Sequence, residues 1–396
     1  MIQLVCLEKR LFKRNICVMR KIRVFVEKIA AKVLFDKKLL VFESYPDFSD
    51  NTMIIYNELV KRGLEKKYKM EWCVHSKESL KNKKYKTFLI GKNVKFYLKT
   101  FSAKRTIYSH FFIGNSHSKR QERIFLLHGM SFKDAGKNFW PADFNTVMFT
   151  LSEMHSNQLV TQMPGSNGKC RALGFPRNDL MNQNDIDVLN IYKFPKGKKL
   201  ILWLPTFRRS KCDLTSGRND YDSDTREEFS LLNDKTLLEL DKVLQENNCV
   251  MIVKYHPSQD VSYITTNEQK YSNILSLTAR QFNEYGIHLY KVLAKTDGLI
   301  ADFSSVYIDY LLKDCPIAFD ITDMDSYSKG LGFSVDNPLD YMPGHLIRKT
   351  EDICTFIKDV AIGKDTYSDK RKKVVDEVHT YKDFNSTERI INSLEW

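Results

Sequence analysis

The chain has 396 residues, of which 42% are hydrophobic and 28% are charged. This composition excludes disordered and fibrous proteins and is sufficient for two domains with substantial hydrophobic cores. The formal net charge of +13 favours an anionic partner, such as a phosphorylated substrate, an acidic lipid surface or nucleic acid.

The first 38 residues form a basic segment. They contain eleven Lys and Arg residues against three acids, so eight of the thirteen excess positive charges lie here. Apolar residues such as Ile16, Ile22 and Val33 alternate with the basic ones. This pattern predicts an amphipathic helix whose apolar side lies on an anionic membrane surface. The alternative is a helix docked on the protein with a solvated basic face.

From residue 39 the pattern changes to strands that alternate with helices. The predicted strands of this first half are 39–43, 69–74, 87–90, 105–108, 123–127, 146–151 and 170–173, with a helix at 52–62. Strands and helices at this spacing indicate a parallel sheet that is covered on both faces. We therefore predict an N-terminal Rossmann-like domain over residues 39–190, which would bind the acceptor.

A polar stretch at 180–198 separates this half from a second α/β half, predicted over residues 191–396 as the domain that binds a nucleotide-linked donor. Its predicted strands are 200–204, 250–255 and 298–301. Its predicted helices are 226–245, 289–294 and 306–313, and the chain ends in helical patterns at 351–361 and 366–395. Residues 208–224 read as a long polar loop, for which a substrate lid is one interpretation. The last helix is a candidate to pack back on the first domain.

The stretch 297–333 has the order strand, turn, helix and strand. Ser304 and Ser305 lie in the turn, where hydroxyl groups and unpaired backbone N–H groups at a helix start can bind a phosphate. The alternative is that Ser304 is only the N-cap of the helix. Asp302 and Asp309 are interpreted as structural residues that hold the turn and the helix.

Ligands of two facing Rossmann-like halves bind at the carboxyl ends of the strands. Residues with acid, base or phosphate-binding chemistry follow five of the predicted strands. They are His128, Arg177, Arg208, His256 with Lys254 just before it in the strand, and Ser304 with Ser305. Each motif alone is more often structural, but their shared position at strand ends favours a ligand cleft.

Several motifs occur in one order along the chain: F-E-S at 42–44, S-D-N at 49–51, L-H-G-M-S-F-K at 127–133, G-F-P-R-N-D at 174–179, L-P-T-F-R at 204–208, K-Y-H-P at 254–257, D-G-L-I-A-D-F-S-S at 297–305 and M-P-G at 342–344. Together they resemble the CDP-glycerol glycerophosphotransferase family, whose members build teichoic acids and related capsule polymers. The sequence departs from the family pattern at Met130-Ser131, where threonine-proline is usual, and at Phe303, where tyrosine is common.

The resemblance implies a GT-B fold and a peripheral enzyme on the cytoplasmic face of the cell membrane. It implies transfer of glycerol phosphate from CDP-glycerol to a hydroxyl of a lipid-linked glycan or polyol-phosphate acceptor, with release of CMP. His128 matches a histidine proposed as the base, and His256 matches the histidine of an H-P motif. The predicted substrate-binding residues are Lys133, Arg177, Asn178, Thr206, Arg208, Lys254, Ser304 and Ser305.

No Asp-x-Asp pair and no Cys/His cluster in the sequence has the pattern of a metal site, so we predict no tightly bound metal and leave a loosely bound Mg²⁺ open. The eight cysteines are scattered, which is typical of reduced cysteines in a cytosolic protein. The expected partners are the CDP-polyol donor, the lipid-linked acceptor and the anionic inner-leaflet surface, without nucleic acid.

Three other functions remain as alternatives. A CDP-ribitol or other CDP-polyol phosphotransferase would share every motif, and a sugar-nucleotide glycosyltransferase would share the GT-B fold. A nucleic-acid-binding protein would explain the charge, but the basic excess is concentrated in the N-terminal segment rather than spread over an aromatic surface. The length leaves little room beyond two domains and the basic segment, which favours a primase or a short-product enzyme.

Overall fold

A computed structural model describes residues 29, 31–91, 93–110, 118–134, 145–205, 231–256, 270–330 and 332–396. Most of the predicted basic segment, the polar loop at 208–224, and the predicted site residues Thr206 and Arg208 lie outside the described residues.

The first half contains a seven-stranded parallel sheet. Its strands are β1 (Asp36–Glu43), β2 (Lys69–Val74), β3 (Lys86–Leu89), β4 (Ala103–Tyr108), β5 (Glu122–Phe125), β6 (Val147–Thr150) and β7 (Cys170–Ala172). They follow the order β3-β2-β1-β4-β5-β6-β7, and every pair is parallel. The strand order runs from β1 to β3 toward one edge of the sheet and from β4 to β7 toward the other. The topological switch point therefore lies between β1 and β4, where a ligand crevice is expected.

The second half contains a six-stranded parallel sheet. Its strands are β8 (Lys199–Leu204), β9 (Cys249–Lys254), β10 (Ile274–Leu277), β11 (Gly298–Ala301), β12 (Ile317–Asp320) and β13 (His345–Ile347). The order β10-β9-β8-β11-β12-β13 repeats the topology of the first sheet, with its switch point between β8 and β11. The predicted architecture of two parallel sheets is therefore confirmed.

Twelve α-helices lie wholly within the described ranges. They are α1 (Asp50–Lys61), α2 (Val94–Ser102), α3 (Glu153–Gln162), α4 (Val188–Ile191), α5 (Asp234–Glu246), α6 (Ala279–Glu284), α7 (Leu289–Leu293), α8 (Val306–Tyr310), α9 (Met324–Gly330), α10 (Thr350–Ile362), α11 (Ser368–Val378) and α12 (Ser386–Asn392). Their buried faces follow the helical period: Leu237, Leu240 and Leu244 of α5 are all buried. None of the helices in these ranges has the length and hydropathy to cross a membrane.

The start of α5 differs from the predicted helix at 226–245. The helix begins at Asp234, and the side chain of Asn233 accepts a hydrogen bond from the backbone N–H of Thr236 at 3.0 Å. This N-cap marks the start of the helix. Residues 231–233 are therefore not helical, and the predicted helix was wrong at these positions.

The last helix packs against the first half of the molecule. Ile390 and Ile391 of α12 belong to the hydrophobic cluster that also contains Phe42 and Trp72 of the first sheet. Arg62 at the end of α1 forms an ion pair with Glu388 of α12. The chain therefore passes from the first half to the second before β8 and returns to the first half by α12.

Candidate active site

The carboxyl ends of the two sheets carry most of the described residues that sequence patterns select. His128 follows β5, and His256 follows β9. Ser304 and Ser305 lie between β11 and α8. Both histidines are exposed, as expected for groups that would meet a substrate.

His128 lies at the end of a strained turn. Leu127 just before it has a φ of +57°, which is uncommon for a residue with a branched side chain. The side-chain amide of Asn51 in α1 donates hydrogen bonds to the carbonyls of Leu127 at 2.9 Å and Leu126 at 3.3 Å. These two bonds hold the turn, so the buried side chain of Asn51 fixes the position of His128.

The imidazole of His128 has a defined hydrogen-bonding partner. Its Nδ1 lies 3.3 Å from the carbonyl oxygen of Ser109, which can only accept. This geometry assigns the proton to Nδ1 and makes Nε2 the basic nitrogen of the neutral ring. A histidine in this tautomer can remove a proton from a hydroxyl group that approaches Nε2.

Gly129 brings the His128 turn against the second half. A Cβ atom at Gly129 would lie 2.5 Å from Ser305 Oγ and 3.2 Å from Arg177 Nη2, and the φ of Gly129 is +150°. Neither the space nor the backbone suits a side chain. The absence of a side chain thus permits the turn after β5 to touch the turn after β11.

Arg177 is buried between the two halves rather than exposed in the cleft. Its Nη2 lies 2.6 Å from Asp309 Oδ2, and its Nη1 lies 3.0 Å from Asp50 Oδ1 and 2.6 Å from the carbonyl oxygen of His128. Burial opposes its charge, but Asp309 and the other neighbours outweigh burial, so the pKa of Arg177 lies above its usual value. These contacts support a positioning role, whereas the sequence predicted contact with substrate.

Asp309 accepts hydrogen bonds from both halves. Asn178 donates to Oδ1 at 3.2 Å, and the hydroxyl of Tyr290 donates to Oδ2. Burial raises the pKa of Tyr290 well above its usual value, so this hydroxyl keeps its proton as a donor. Asp309 thus joins the halves rather than holding its own helix, while Asn178, 2% exposed, lies away from solvent.

Lys133 also connects the halves. The backbone of Lys133 forms an antiparallel bridge with Phe333, and its Nζ lies 5.5 Å from the ring centre of Phe303 and 5.6 Å from that of Tyr327. An ammonium group over aromatic rings gains a cation–π interaction. The predicted substrate-binding lysine is therefore anchored on the second half next to the turn that carries Ser304.

The turn between β11 and α8 differs in detail from the sequence interpretation. The backbone N–H of Ser304 donates to Asp302 Oδ1 at 2.9 Å, so Asp302 holds the turn. The N-cap of α8 is Ser305, not Ser304, and its side chain makes no capping hydrogen bond. In the described structure the buried Oγ of Ser304 has no hydrogen-bond partner, which leaves a hydroxyl to be satisfied at this strand end.

Lys254 and His256 lie at the end of β9. Burial lowers the pKa of Lys254 to about 8. Its Nζ lies 5.4 Å from the ring centre of Phe282. A lysine with this pKa is mostly charged at neutral pH and can pair with a phosphate that enters the cleft.

Three residues that the sequence predictions omitted lie at the strand ends of the first sheet. Glu43 ends β1, His75 follows β2, and His110 lies two residues after β4. They occupy the switch point of that sheet, beside the segment that carries His128. The rule that selected His128 and His256, a titratable residue directly after a predicted strand, would also have found His75. Among the residues that the model describes, no group of three or more His, Cys, Asp or Glu side chains is arranged to hold a metal ion.

Comparison with known protein families gives one match over almost the whole chain. The model of the family described as CDP-Glycerol:Poly(glycerophosphate) glycerophosphotransferase matches residues 25–395. The chain is 24% identical over 370 residues to a teichoic acid poly(glycerol phosphate) polymerase of Bacillus subtilis (strain 168), covering 84% of this chain and 45% of the relative. It is 24% identical over 382 residues to the teichoic acid ribitol-phosphate polymerase TarL of Staphylococcus aureus, covering 90% and 62%. The chain thus spans about half the length of these curated relatives.

Solved structures with a similar fold include the wall teichoic acid polymerase TagF. One TagF structure, an H444N variant with CDPG, superposes with a TM-score of 0.70 and 17% identity over 96% of each chain. The Staphylococcus aureus MnaA-UDP structure gives a TM-score of 0.51 at 11% identity, covering 90% of this chain and 95% of that one. At these identities the similarity concerns the fold, and it confirms the predicted GT-B-like class.

Proposed function

The chain belongs to the CDP-glycerol:poly(glycerophosphate) glycerophosphotransferase family, and on that premise we propose that it transfers glycerol phosphate from CDP-glycerol to a hydroxyl of a teichoic-acid or capsule-type acceptor and releases CMP. The observation that carries this proposal is the contact between the His128-Gly129 turn and Ser305. This contact places a histidine whose Nε2 can accept a proton beside a turn that can bind a phosphate.

The proposed reaction is a single displacement at phosphorus. The acceptor hydroxyl gives its proton to His128 Nε2 while its oxygen attacks the phosphorus that carries glycerol. The bond from that phosphorus to the bridging oxygen breaks, and CMP leaves with the bridging oxygen. Such a transfer depends on positioning and on stabilisation of charge more than on covalent catalysis.

The second half would hold the donor. Lys254 and His256 after β9, with Ser304 and Ser305 after β11, would contact the pyrophosphate through charge-assisted hydrogen bonds. Thr206 and Arg208 would complete this donor site, and Lys133 would approach it from the first half. Arg177 and Asn178 would act on the substrate indirectly, because they bind Asp309 and the carbonyl of His128.

The acceptor is proposed to be lipid-linked and the enzyme to be peripheral on the cytoplasmic face of the membrane. Ile29, Val33 and Leu34 are exposed at the end of the basic segment, with Val33 76% exposed, and Lys32 beside them is also exposed. Exposed apolar side chains among lysines are suited to an anionic lipid surface.

A CDP-ribitol phosphotransferase is the second candidate. Among the relatives are both glycerol-phosphate and ribitol-phosphate enzymes, including a ribitol-phosphate primase of Bacillus spizizenii that is 27% identical over 225 residues.

The deciding experiment measures CMP release and product mass for the full chain with CDP-glycerol, CDP-ribitol and a lipid-linked acceptor. We expect CMP release with CDP-glycerol and a product heavier by one or more glycerol phosphate units. Turnover with CDP-ribitol alone would establish the second candidate. Sugar incorporation from a sugar nucleotide, without CMP release, would overturn both.

A further inference from the structure

Glu43 is a buried carboxylate at the switch point of the first sheet, and no part of the proposed reaction uses it. Its side chain has 0% exposure. Oε1 lies 2.7 Å from Nε2 of His75, and Oε2 accepts a hydrogen bond from the backbone N–H of His110 at 3.3 Å. A buried carboxylate is costly unless donors satisfy it, and here two donors from neighbouring strand ends do so.

Glu43 also binds Ser109, the residue before His110, through its backbone. The carbonyl oxygen of Glu43 accepts a hydrogen bond from the N–H of Ser109 at 3.2 Å. Glu43 therefore fixes Ser109 with its main chain and His110 with its side chain. Two consecutive residues after β4 are tied to one residue at the end of β1.

His128 contacts both of these residues. The carbonyl of Ser109 lies 3.3 Å from His128 Nδ1, and the ring of His110 lies 5.5 Å from the ring of His128. The ring of Tyr45 lies 5.3 Å from that of His75 and 5.0 Å from that of His110. The aromatic contacts thus continue from the Glu43–His75 pair to His128.

We propose that Glu43, held by His75, is a positioning residue for His128. It fixes the segment 109–110, and the carbonyl of Ser109 selects the tautomer of His128 that carries its proton on Nδ1 and has a basic Nε2. Neither Glu43 nor His75 is proposed to touch substrate. The role of His128 as base rests on the proposed function, whereas the selection of its tautomer does not.

The test variants alter the hydrogen bonds that Glu43 forms with His75 and with the backbone of His110. Glu43→Gln keeps one acceptor oxygen for the two N–H donors and removes the negative charge, so both contacts survive only if His75 changes its tautomer, and both are weaker. His75→Leu removes the donor to Glu43, whereas His75→Gln keeps an N–H group that can reach the carboxylate. The matched control is Glu71→Gln, which removes an acid of β2 that pairs with Lys99 of α2 at 2.6 Å. Circular dichroism and thermal unfolding establish that each variant is folded.

The first measurement is the tautomer itself, read by nitrogen NMR of the full chain with ¹⁵N-labelled histidine. The nine histidines are distinguished by the loss of one signal in His128→Asn. We expect His128 to carry its proton on Nδ1 in the wild type, His75→Gln and Glu71→Gln. In Glu43→Gln and His75→Leu we expect a mixture of tautomers. An unchanged His128 signal in folded Glu43→Gln and His75→Leu would overturn the proposal.

The second measurement separates positioning from binding through the kinetics of CMP release. We expect Glu43→Gln and His75→Leu to lower kcat by about 10- to 100-fold, since a displacement of about 1 Å at a reacting group costs that much. The donor KM should stay within about twofold of the wild-type value. His75→Gln, which keeps an N–H donor to Glu43, should retain most of the wild-type kcat. A rise in donor KM without a fall in kcat would overturn the proposal. If the wild type turns over no CDP-polyol, the proposed function fails, and the NMR result still decides the positioning role.

Discussion

Arg177 Nη2 lies 2.6 Å from Asp309 Oδ2, and this ion pair joins the two sheets at a place closed to solvent. The arginine belongs to the first half and the aspartate to the second. Because the same guanidinium also donates to the carbonyl of His128, one buried cation links domain packing to the position of the proposed base.

Removal of the aspartate should destabilise the protein strongly. Asp309→Ala leaves Arg177 and Tyr290 without their shared acceptor, and loss of one partner of a buried pair costs about 3–5 kcal/mol. Denaturant unfolding measures this change in the free energy of unfolding. Arg280→Ala is the control, since its pair with Glu284 is exposed and should contribute less than about 1 kcal/mol. Equal losses in both variants would contradict a buried ion pair at Arg177.

His128→Asn should lower kcat for CMP release by about 10²- to 10⁴-fold, the usual contribution of a general base. The donor KM should change little, because the donor is proposed to lie on the second half. His345→Gln is the control, as this histidine begins β13 and pairs with Asp359 away from the strand ends of the first sheet. CMP release by His128→Asn at nearly the wild-type rate would show that another group is the base.

Gly129→Ala should abolish most activity while Gly286→Ala should not. A Cβ at Gly129 would meet Ser305 Oγ at 2.5 Å, whereas a Cβ at Gly286 would meet nothing within 4 Å. Both glycines have positive φ, so both variants carry backbone strain, and only the first displaces the turn of His128. Turnover assays with a parallel thermal-unfolding measurement separate the two effects. The prediction fails if the two variants lose activity equally.

Donor binding should weaken as pH rises above about 8. Burial lowers the pKa of Lys254 to about 8, so the ammonium is charged below that pH and loses its charge above it. The Kd for CDP-glycerol should then rise by up to about tenfold per pH unit above pH 8. Titration calorimetry from pH 7 to 10 measures this. Lys254→Arg, which stays charged, should flatten the profile, and an unchanged profile in this variant would assign the effect to another group.

Deletion of residues 1–35 should release the protein from membranes. β1 begins at Asp36, so the deletion leaves the first sheet intact. The measurement is the share of protein recovered with anionic vesicles after sedimentation, with vesicles of neutral lipid for comparison. Val33→Asp is a milder variant that alters one exposed apolar residue. Equal recovery of the full chain and the deletion variant would contradict the membrane role of this segment.

The sequence predicted both sheets because their strands are short apolar runs with clear polar ends. The bounds of β2 and β11 agree with the prediction, since charged residues or glycine flank each run. Strands β10 and β13 were not predicted, because Ser276 interrupts the apolar run of β10 and only Leu346 and Ile347 of β13 are apolar. Arg177 was predicted to bind substrate from its position at a strand end, and this stays a prediction; its ion pair with the buried Asp309 could not be read from the sequence.

The pair of Glu43 and His75 could not be predicted from the sequence by spacing alone. These residues lie 32 positions apart, and what brings them together is the register of β1 and β2, in which Glu43 lies opposite Cys73. A shift of one residue in that register would turn the side chains of β2 to the other face of the sheet.

The position of α12 on the first sheet has a consequence for biosynthesis. Ile390 and Ile391 complete a core in which Phe42 and Trp72 are translated more than three hundred residues earlier. The first half therefore leaves the ribosome with an apolar surface that stays uncovered until the second half has been made. Such a surface is where a chaperone would bind, and where a truncated chain would aggregate.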